Sequence, residues 1–163
     1  MANKTNIAKV FQNIRKRFDR VIADSIEPMG REAIRLLVVR TRLGYGVSRQ
    51  EGNRGKLKSL SPAYVQFRQR YRNLSPFTRP RRSNLTLTGQ MLDSMQIIKA
   101  SNRTVIIGPK GRRRDGENNE DIAKWVQKAG RPFLNISRTE QIQLIRFYRR
   151  TFGDLARNRR LTF

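Results

Sequence analysis

Side chains that could carry out chemistry are few and scattered in this sequence. The best-placed groups are Asp93, Ser94 and the adjacent carboxylates Glu120 and Asp121. Adjacent carboxylates on a helix point to different faces, so Glu120 and Asp121 make a poor acid–base pair or metal site. Ser94 has no base that could activate it as a nucleophile. This pattern predicts a favourable charge at a helix start rather than a catalytic centre.

Two residue types that dominate catalytic and metal sites are missing. The 163 residues contain no cysteine and no histidine, which excludes disulfides, thiolate chemistry, the usual zinc sites and histidine acid–base catalysis within them. A nuclease would need clustered acidic metal ligands, and only 12 Asp and Glu residues are present. We therefore expect no enzymatic activity, no metal and no cofactor.

Positive charge is the strongest signal in the composition. The chain has 36 Lys and Arg residues, which gives a formal net charge of +24. Such a surplus repels itself, so it indicates nucleic acid or acidic protein partners. The hydrophobic content is 37%, below the usual level of roughly 45–50%. That value predicts either long exposed arms or a protomer that completes its burial against neighbours.

Two loops concentrate the basic residues. One is a Pro- and Arg-rich linker over residues 74–84, and the other, residues 108–121, joins a basic run to an acidic segment. We predict that both loops contact DNA or acidic partners. The residues expected to make these contacts are Arg79, Arg81, Arg82, Lys110, Arg112, Arg113 and Arg114.

The N-terminal region predicts a long helix or a broken pair of helices. Apolar residues recur at steps of three and four over residues 5–42, which marks one apolar stripe. Pro28 should kink or break this helix near Ile26–Glu27. A basic amphipathic helix could lie on a membrane, but we favour packing on its own domain or a neighbouring subunit. No apolar run approaches ~18 residues, so we expect no membrane span.

The next segment predicts a loop followed by a short helix. Residues 43–59 contain four glycines and read as a flexible loop or arm. Ser61 and Pro62 form a good helix start, and residues 62–73 then alternate aromatic residues with arginines. Interleaved aromatic and basic residues can indicate nucleic-acid stacking. We favour the other interpretation, in which the aromatics form a core face and the arginines a solvated one.

The stretch LTLTGQMLDSM, residues 85–95, has the clearest local pattern. Leu85 and Leu87 alternate as a short leading strand, Thr88 caps a short helix, and Gly89 allows a tight turn. The expected protomer core consists of Leu85, Leu87, Met91, Leu92, Val105, Ile107, Trp125, Phe133 and Leu134.

The remainder of the chain predicts a hairpin and two helices. The strands cover roughly residues 95–100 and 104–109. A helix over 120–129 is capped by Asn118 or Asn119 and ended by Gly130. Ser137 and Glu140 fit a capping box that opens a helix over 138–150, which could continue past Gly153 to Leu155. We predict one α+β domain, a small antiparallel sheet with flanking helices, a long N-terminal helix and extended basic loops. Its segments are 1–42, 43–84, an α+β core at 85–155 and a basic tail at 156–163.

The order of these motifs resembles the neck or tail-completion proteins of tailed bacteriophages, a family of virion-morphogenesis and putative tail-component proteins. The resemblance rests on residues 85–95, a hairpin ending at 105–108, the helix at 122–127 and the segment Gly-Arg-Pro-Phe-Leu-x-Ile-Ser at 130–137. Segments 40–47 and 60–64 fit the N-terminal half of the family, so the likeness covers roughly residues 35–150. The family helix commonly reads Tyr-Ala-x-x-His-Gln-x-Gly, and this chain lacks that His.

The resemblance implies a non-enzymatic α+β protomer that forms a ring between the head connector and the tail tube, around the DNA channel. The implied partners are copies of itself, sixfold by preference and twelvefold as the alternative, together with portal-side connector or adaptor proteins, the tail terminator or tail tube, and genomic DNA. The implied location is the virion neck, after assembly in the host cytoplasm, without a membrane. Arg131 would bridge to a neighbour or satisfy local carbonyls.

Two other functions compete with this reading. One is the neighbouring tail-terminator ring, which the sequence separates poorly from the neck ring. The other is a free, sequence-nonspecific nucleic-acid-binding module. The net charge supports that module, but its basic residues form no recognisable DNA- or RNA-binding motif.

Overall fold

The computed structural model describes residues 4–47, 52 and 54–158, and these form an α+β fold, as the sequence predicted. The strands make two separate two-stranded antiparallel sheets rather than one. The elements in chain order are α1 (Lys4–Arg42), β1 (Tyr45–Val47), β2 (Arg54–Lys56), α2 (Pro62–Arg70), α3 (Gln90–Asp93), β3 (Met95–Ala100), β4 (Val105–Pro109), α4 (Asn119–Lys128) and α5 (Arg138–Asn158).

Helix α1 runs without interruption through Pro28, so the break expected near Ile26–Glu27 is wrong. A proline inside a helix lacks one hydrogen-bond donor and costs about 3 kcal/mol. The helix continues because its flanking turns are packed into the domain. Ser25, Ile26 and Gly30 are all buried there, and their packing offsets the loss at Pro28.

The middle of α1 lies close against the β3–β4 hairpin and beside α5. A Cβ atom added at Gly30 would lie 2.7 Å from a methyl carbon of Val105, so the absence of a side chain allows this close approach. Nearer its start, α1 contacts α5 through Phe18 and Phe152, whose rings stack with centroids 6.3 Å apart. Residues 11–17 are all exposed.

The predicted loop over residues 43–59 is wrong in part, because it contains the β1–β2 hairpin. Tyr45 pairs with Lys56 and Val47 with Arg54. Residues 48–51 and 53 lie outside the described residues. The backbone N–H of Val47 donates to the carbonyl of Pro132 at 2.9 Å, which holds the hairpin against the loop that follows α4.

The leading strand expected at Leu85 and Leu87 is also wrong, because this segment has no strand pairing. Side chains hold its backbone instead. The Thr78 hydroxyl donates to the carbonyls of Thr86 and Leu87, at 2.7 and 3.0 Å, and the Thr86 hydroxyl donates to the carbonyl of Phe77 at 3.1 Å. Leu85 has a φ of 53°, which no regular strand adopts.

Helix α3 is a single turn that begins at Gly89 rather than at Thr88. Gly89 occupies the N-cap with a φ of 79°, a conformation that favours glycine. The Thr88 hydroxyl lies 3.5 Å from the backbone nitrogen of Gln90, which is too long for a strong cap. The turn buries Met91 and Leu92, as the helical spacing predicted.

The hydrophobic core forms where α1, α3, α4 and the start of β3 meet. Of the expected core residues, Met91, Leu92 and Phe133 are buried in it, and Leu85 and Leu134 pack against it partly buried. Ile107 packs on a second cluster between α1 and α5, while Leu87 and Val105 are partly buried. The buried members of the main cluster are Leu37, Met91, Leu92, Met95, Ala123, Val126 and Phe133.

Trp125 was expected in this core, and that prediction is wrong, because its side chain is 65% exposed. Helix α4 buries Asn119, Ala123 and Val126, which lie on one face. At 3.6 residues per turn, Trp125 projects about 100° away from that face. It therefore points out beside α4 rather than into the domain.

The predicted limits of α4 and α5 agree with the structure. Asn118 occupies the N-cap of α4, although its side chain donates to Asp121 instead of capping the backbone, and Gly130 follows the helix with a φ of 77°. The capping box of α5 is confirmed: the Ser137 N–H donates to Glu140 at 2.8 Å, and the Glu140 N–H donates to the Ser137 hydroxyl at 3.3 Å.

Helix α5 extends through Gly153 to Asn158. The segment expected as a basic tail therefore begins as helix, and Arg157 forms an ion pair with Asp154. The tail arginines Arg159 and Arg160 lie outside the described residues.

Candidate nucleic-acid and partner interface

The first predicted basic loop lines a cleft beside the β1–β2 hairpin. Arg79, Arg81 and Arg82 are exposed, and they line a cavity of about 860 Å³ together with Lys56 and Tyr45. No Asp or Glu is among the lining residues. Four cations without a carboxylate suit the phosphates of a nucleic acid, which bind mainly through Lys and Arg.

The second basic loop is more ordered than its composition suggested. Lys110, Arg112 and Arg114 are exposed. Arg113 is only partly exposed and forms an ion pair with Asp115 at 2.8 Å. The loop turns back on itself, because the Arg113 N–H donates to the carbonyl of Glu117 at 2.8 Å. Arg113 is thus partly neutralised within the chain, whereas its neighbours remain available to a partner.

The structure does not bring the two basic loops into one site. Arg79, Arg81 and Arg82 line the cleft beside the hairpin, whereas Arg113 lines a different groove. Only Ser59 lines both of these cavities. The other candidate contact residues, Lys110, Arg112 and Arg114, line neither of them.

Helix α2 differs in part from the arrangement that its sequence favoured. Tyr64, Phe67 and Tyr71 are 41–45% exposed, whereas Arg68 is 2% exposed. The aromatic rings pack on one another along the outer face of the helix, with centroids 5.9 and 4.7 Å apart. The expectation of an aromatic core face is therefore wrong for α2. The expectation of solvated arginines is wrong at Arg68, whereas Arg70 and Arg72 are exposed.

Arg68 is buried because its guanidinium joins α2 to the segment that leads into α3. It donates to the carbonyl of Arg82 and to Oδ1 of Asn84, both at 2.7 Å. Its Nε has no hydrogen-bond partner, and none of the described carboxylates forms an ion pair with it. Burial lowers the pKa of Arg68, and Tyr64 opposes that shift. Arginine nevertheless stays charged in proteins, so this cation is buried without a counter-ion among the residues that the structure describes.

A groove of about 660 Å³ lies between α2 and α4, and we call it the α2–α4 groove. Its wall includes the buried Arg68 and the exposed rings of Tyr64 and Trp125. The aliphatic side chains that line it are Leu60, Leu85, Leu87, Met91, Ile122 and Val126.

The rim of the α2–α4 groove is basic. Lys58, Arg113 and Arg131 line it, and no Asp or Glu does. Arg131 reaches the backbone carbonyls of Lys58 and Ser59, at 3.4 and 3.5 Å. Arg131 thus contacts local carbonyls, which is one of the two roles expected for it, and its charge stays beside the groove.

The part of the chain that the structure describes contains neither a candidate metal site nor a candidate membrane-spanning helix. No three carboxylate side chains there lie close enough together to hold a metal ion. None of the helices within the same residues combines the length and the apolar content that a membrane crossing requires.

Sequence reasoning missed the α2–α4 groove. One signal was present, because the periodicity of α4 places Trp125 off the apolar face formed by Asn119, Ala123 and Val126. No such signal existed for Arg68, since its burial depends on acceptors at Arg82 and Asn84 that only the folded loop brings near. Comparisons with models of known protein families, with curated proteins and with solved structures found no match to this chain.

Proposed function

We propose that this protein is a structural subunit of the tailed-phage neck, a tail-completion or head–tail joining protein that forms a ring around the DNA channel. The motif order over residues 35–150 supports this proposal through its resemblance to that family. The α+β fold with one long helix is consistent with it, and so is the scarcity of candidate catalytic residues.

The observation that carries the proposal is a set of large apolar side chains exposed on regular elements. Ile142 and Ile145 are 51% and 52% exposed on one face of α5, three residues apart. Ile98 and Ile106, on neighbouring strands of the β3–β4 hairpin, are 45% and 48% exposed. Separated apolar surfaces of this kind suit a protomer that completes its burial in an assembly.

A closed ring makes a specific geometric demand on its subunit. Head-to-tail rings use two different, complementary surfaces on every protomer, whereas a twofold dimer uses one surface that matches itself. The two distinct apolar sites on α5 and on the β3–β4 hairpin fit the first requirement better than the second. In such a ring, the basic residues that give the chain its net charge of +24 would face the genome or acidic neighbours in the neck.

A tail-terminator ring would explain the same surfaces, and only its position in the virion differs. A free, sequence-nonspecific nucleic-acid-binding module is the candidate from another class. The specific observation in its favour is the cleft that Arg79, Arg81 and Arg82 line without any carboxylate.

The assembly state tests the proposal directly. Native mass spectrometry of the purified protein, with and without short duplex DNA at moderate salt, is expected to show a discrete ring, alone or after addition of connector or tail proteins. A stable monomer that coats DNA, loses affinity steeply with salt and ignores virion proteins would contradict the ring and support the free module.

A matched pair of variants sharpens this test. The double variant Ile142→Ser and Ile145→Ser removes apolar area from an exposed face of α5, so it should weaken assembly without unfolding the protomer. The control replaces Gln141 and Gln143, exposed polar residues of the same helix, with Ser. Equal loss of rings in both variants would show that the α5 face is not an interface.

A further inference from the structure

We propose that the α2–α4 groove is the docking site for a polypeptide segment of another protein, one that combines aliphatic side chains with carboxylates. This inference goes beyond the ring assembly and does not depend on it, because the groove lies within a single protomer. Its basis is one buried cation, the lining of the groove and the distribution of carboxylates over the molecule.

The buried positive charge of Arg68 would be stabilised by an anion. Arg68 lies in the groove wall with neutral acceptors at Arg82 and Asn84 and a free Nε. A buried charge is costly unless it is paired. The surrounding rim adds Lys58, Arg113 and Arg131, and no carboxylate of the described residues lines the groove, so an acidic partner would supply the balancing charge.

The lining of the groove favours a polypeptide over a nucleic acid. Six aliphatic side chains line it, together with the rings of Tyr64 and Trp125. Single-stranded nucleic acids bind mainly on rows of aromatic faces, and only two of the lining side chains are aromatic. Aliphatic walls instead match leucine-like side chains, each of which contributes by leaving water.

The charge of the chain disfavours a second copy as the occupant. Eight ion pairs within the described residues involve seven different carboxylates, since Glu140 takes part in two of them. At least seven of the 12 acidic residues are therefore engaged within the protomer. An acidic segment from a different protein brings free carboxylates instead.

Trp125 provides a reporter inside the groove, because it is the only tryptophan of the chain and is 65% exposed. The first probe is an eight-residue, end-blocked peptide that alternates Glu and Leu. Its control alternates Glu and Ser and so has the same charge. The Glu–Leu peptide should shift the emission of Trp125 to the blue and bind at least about tenfold more tightly than the control, since burying one leucine side chain is worth about that factor.

Two arginine variants test the electrostatic half of the proposal. Arg113→Gln removes a rim cation and should weaken the Glu–Leu peptide about threefold to tenfold, as expected for a partly exposed charged contact. Arg114→Gln removes the same charge from the adjacent exposed residue, which does not line the groove, and should leave the affinity within about twofold. Both variants keep Trp125 and the buried Arg68, so they avoid the folding risk of replacing Arg68 itself.

Several outcomes would overturn the proposal. Equal affinities for the Glu–Leu and Glu–Ser peptides would show that charge alone drives binding. Equal effects of Arg113→Gln and Arg114→Gln would place the binding elsewhere. An eight-nucleotide oligothymidylate that perturbs Trp125 at lower concentration than the peptide would assign the groove to nucleic acid. A blue shift that grows with protein concentration, without peptide, would assign it to a second copy. Loss of ring assembly leaves these readouts unchanged, so the two proposals fail separately.

Discussion

Two of the arginines that the structure describes are almost fully buried, and their surroundings differ in one respect. Arg40, at the end of α1, is 3% exposed and forms an ion pair with Glu140 of α5, which is 0% exposed. Arg68, in α2, is 2% exposed and meets only the neutral acceptors of Arg82 and Asn84. Glu140 balances the charge of Arg40, whereas no described carboxylate balances the charge of Arg68.

The difference separates a structural region from an interaction surface. Burial lowers the pKa of Arg40 while Glu140 opposes the shift, and Arg40 also donates to the carbonyls of Asn135 and Phe133. Arg54 of β2 approaches the same carboxylate at 3.6 Å. This cluster ties α1, α5, the hairpin and the loop after α4 together. Nothing comparable neutralises Arg68, which lines a groove.

Breaking the balanced pair should have the largest effect. Glu140→Gln leaves Arg40 buried beside a neutral amide, so the free energy of unfolding should fall by about 3–5 kcal/mol. Urea denaturation followed by circular dichroism measures this change. The control Glu27→Gln removes an exposed partner of Arg31 and should stay within about 0.5 kcal/mol. A loss below about 1 kcal/mol for Glu140→Gln would mean that the pair does not hold the elements together.

Replacing each buried arginine with methionine sharpens the comparison. Arg40→Met strands the buried carboxylate of Glu140 and should cost about 3–5 kcal/mol. Arg68→Met strands only two neutral acceptors and should cost about 1–3 kcal/mol. The same denaturation experiment ranks them. An equal or larger loss for Arg68→Met would show that its surroundings compensate the charge as fully as Glu140 compensates Arg40.

The smallest effect is expected at an exposed ion pair. The hydrogen bond from Arg35 holds the pKa of Glu32 below its ordinary value of 4.5. A carboxylate with a lowered folded pKa stabilises the protein above its unfolded pKa, and this contribution disappears as the pH falls through the folded pKa. Glu32→Gln should therefore cost less than about 0.5 kcal/mol at pH 7 and still less near pH 3. Denaturant titrations at both pH values test this, and a larger loss at pH 3 would contradict it.

Local patterns explain why some elements could be predicted from the sequence. Ser137 and Glu140 are three residues apart, and that spacing was enough to identify the start of α5. Their neighbour Arg40 lies 100 residues from Glu140, so no local pattern could reveal the ion pair. The β3–β4 hairpin was likewise predictable from a short turn between two apolar runs.

The errors have tertiary causes. Pro28 has a strong local preference against the helix interior, but the packing of α1 outweighs it. In α2 the aromatic spacing looked like a core face, and the folded 78–86 segment offers that side of the helix polar acceptors instead of apolar surface. The α2–α4 groove was beyond prediction because it needs three separate segments in place.

The length of α1 has a mechanical consequence. Its 39 residues make a rod about 58 Å long at 1.5 Å per residue. Residues 11–17 stand exposed near one end, while Leu37 is packed in the core near the other. No loop interrupts the rod between them. Force applied to those exposed turns is therefore transmitted along the helix to its successive packing contacts, at Phe18, at Gly30 and at Leu37.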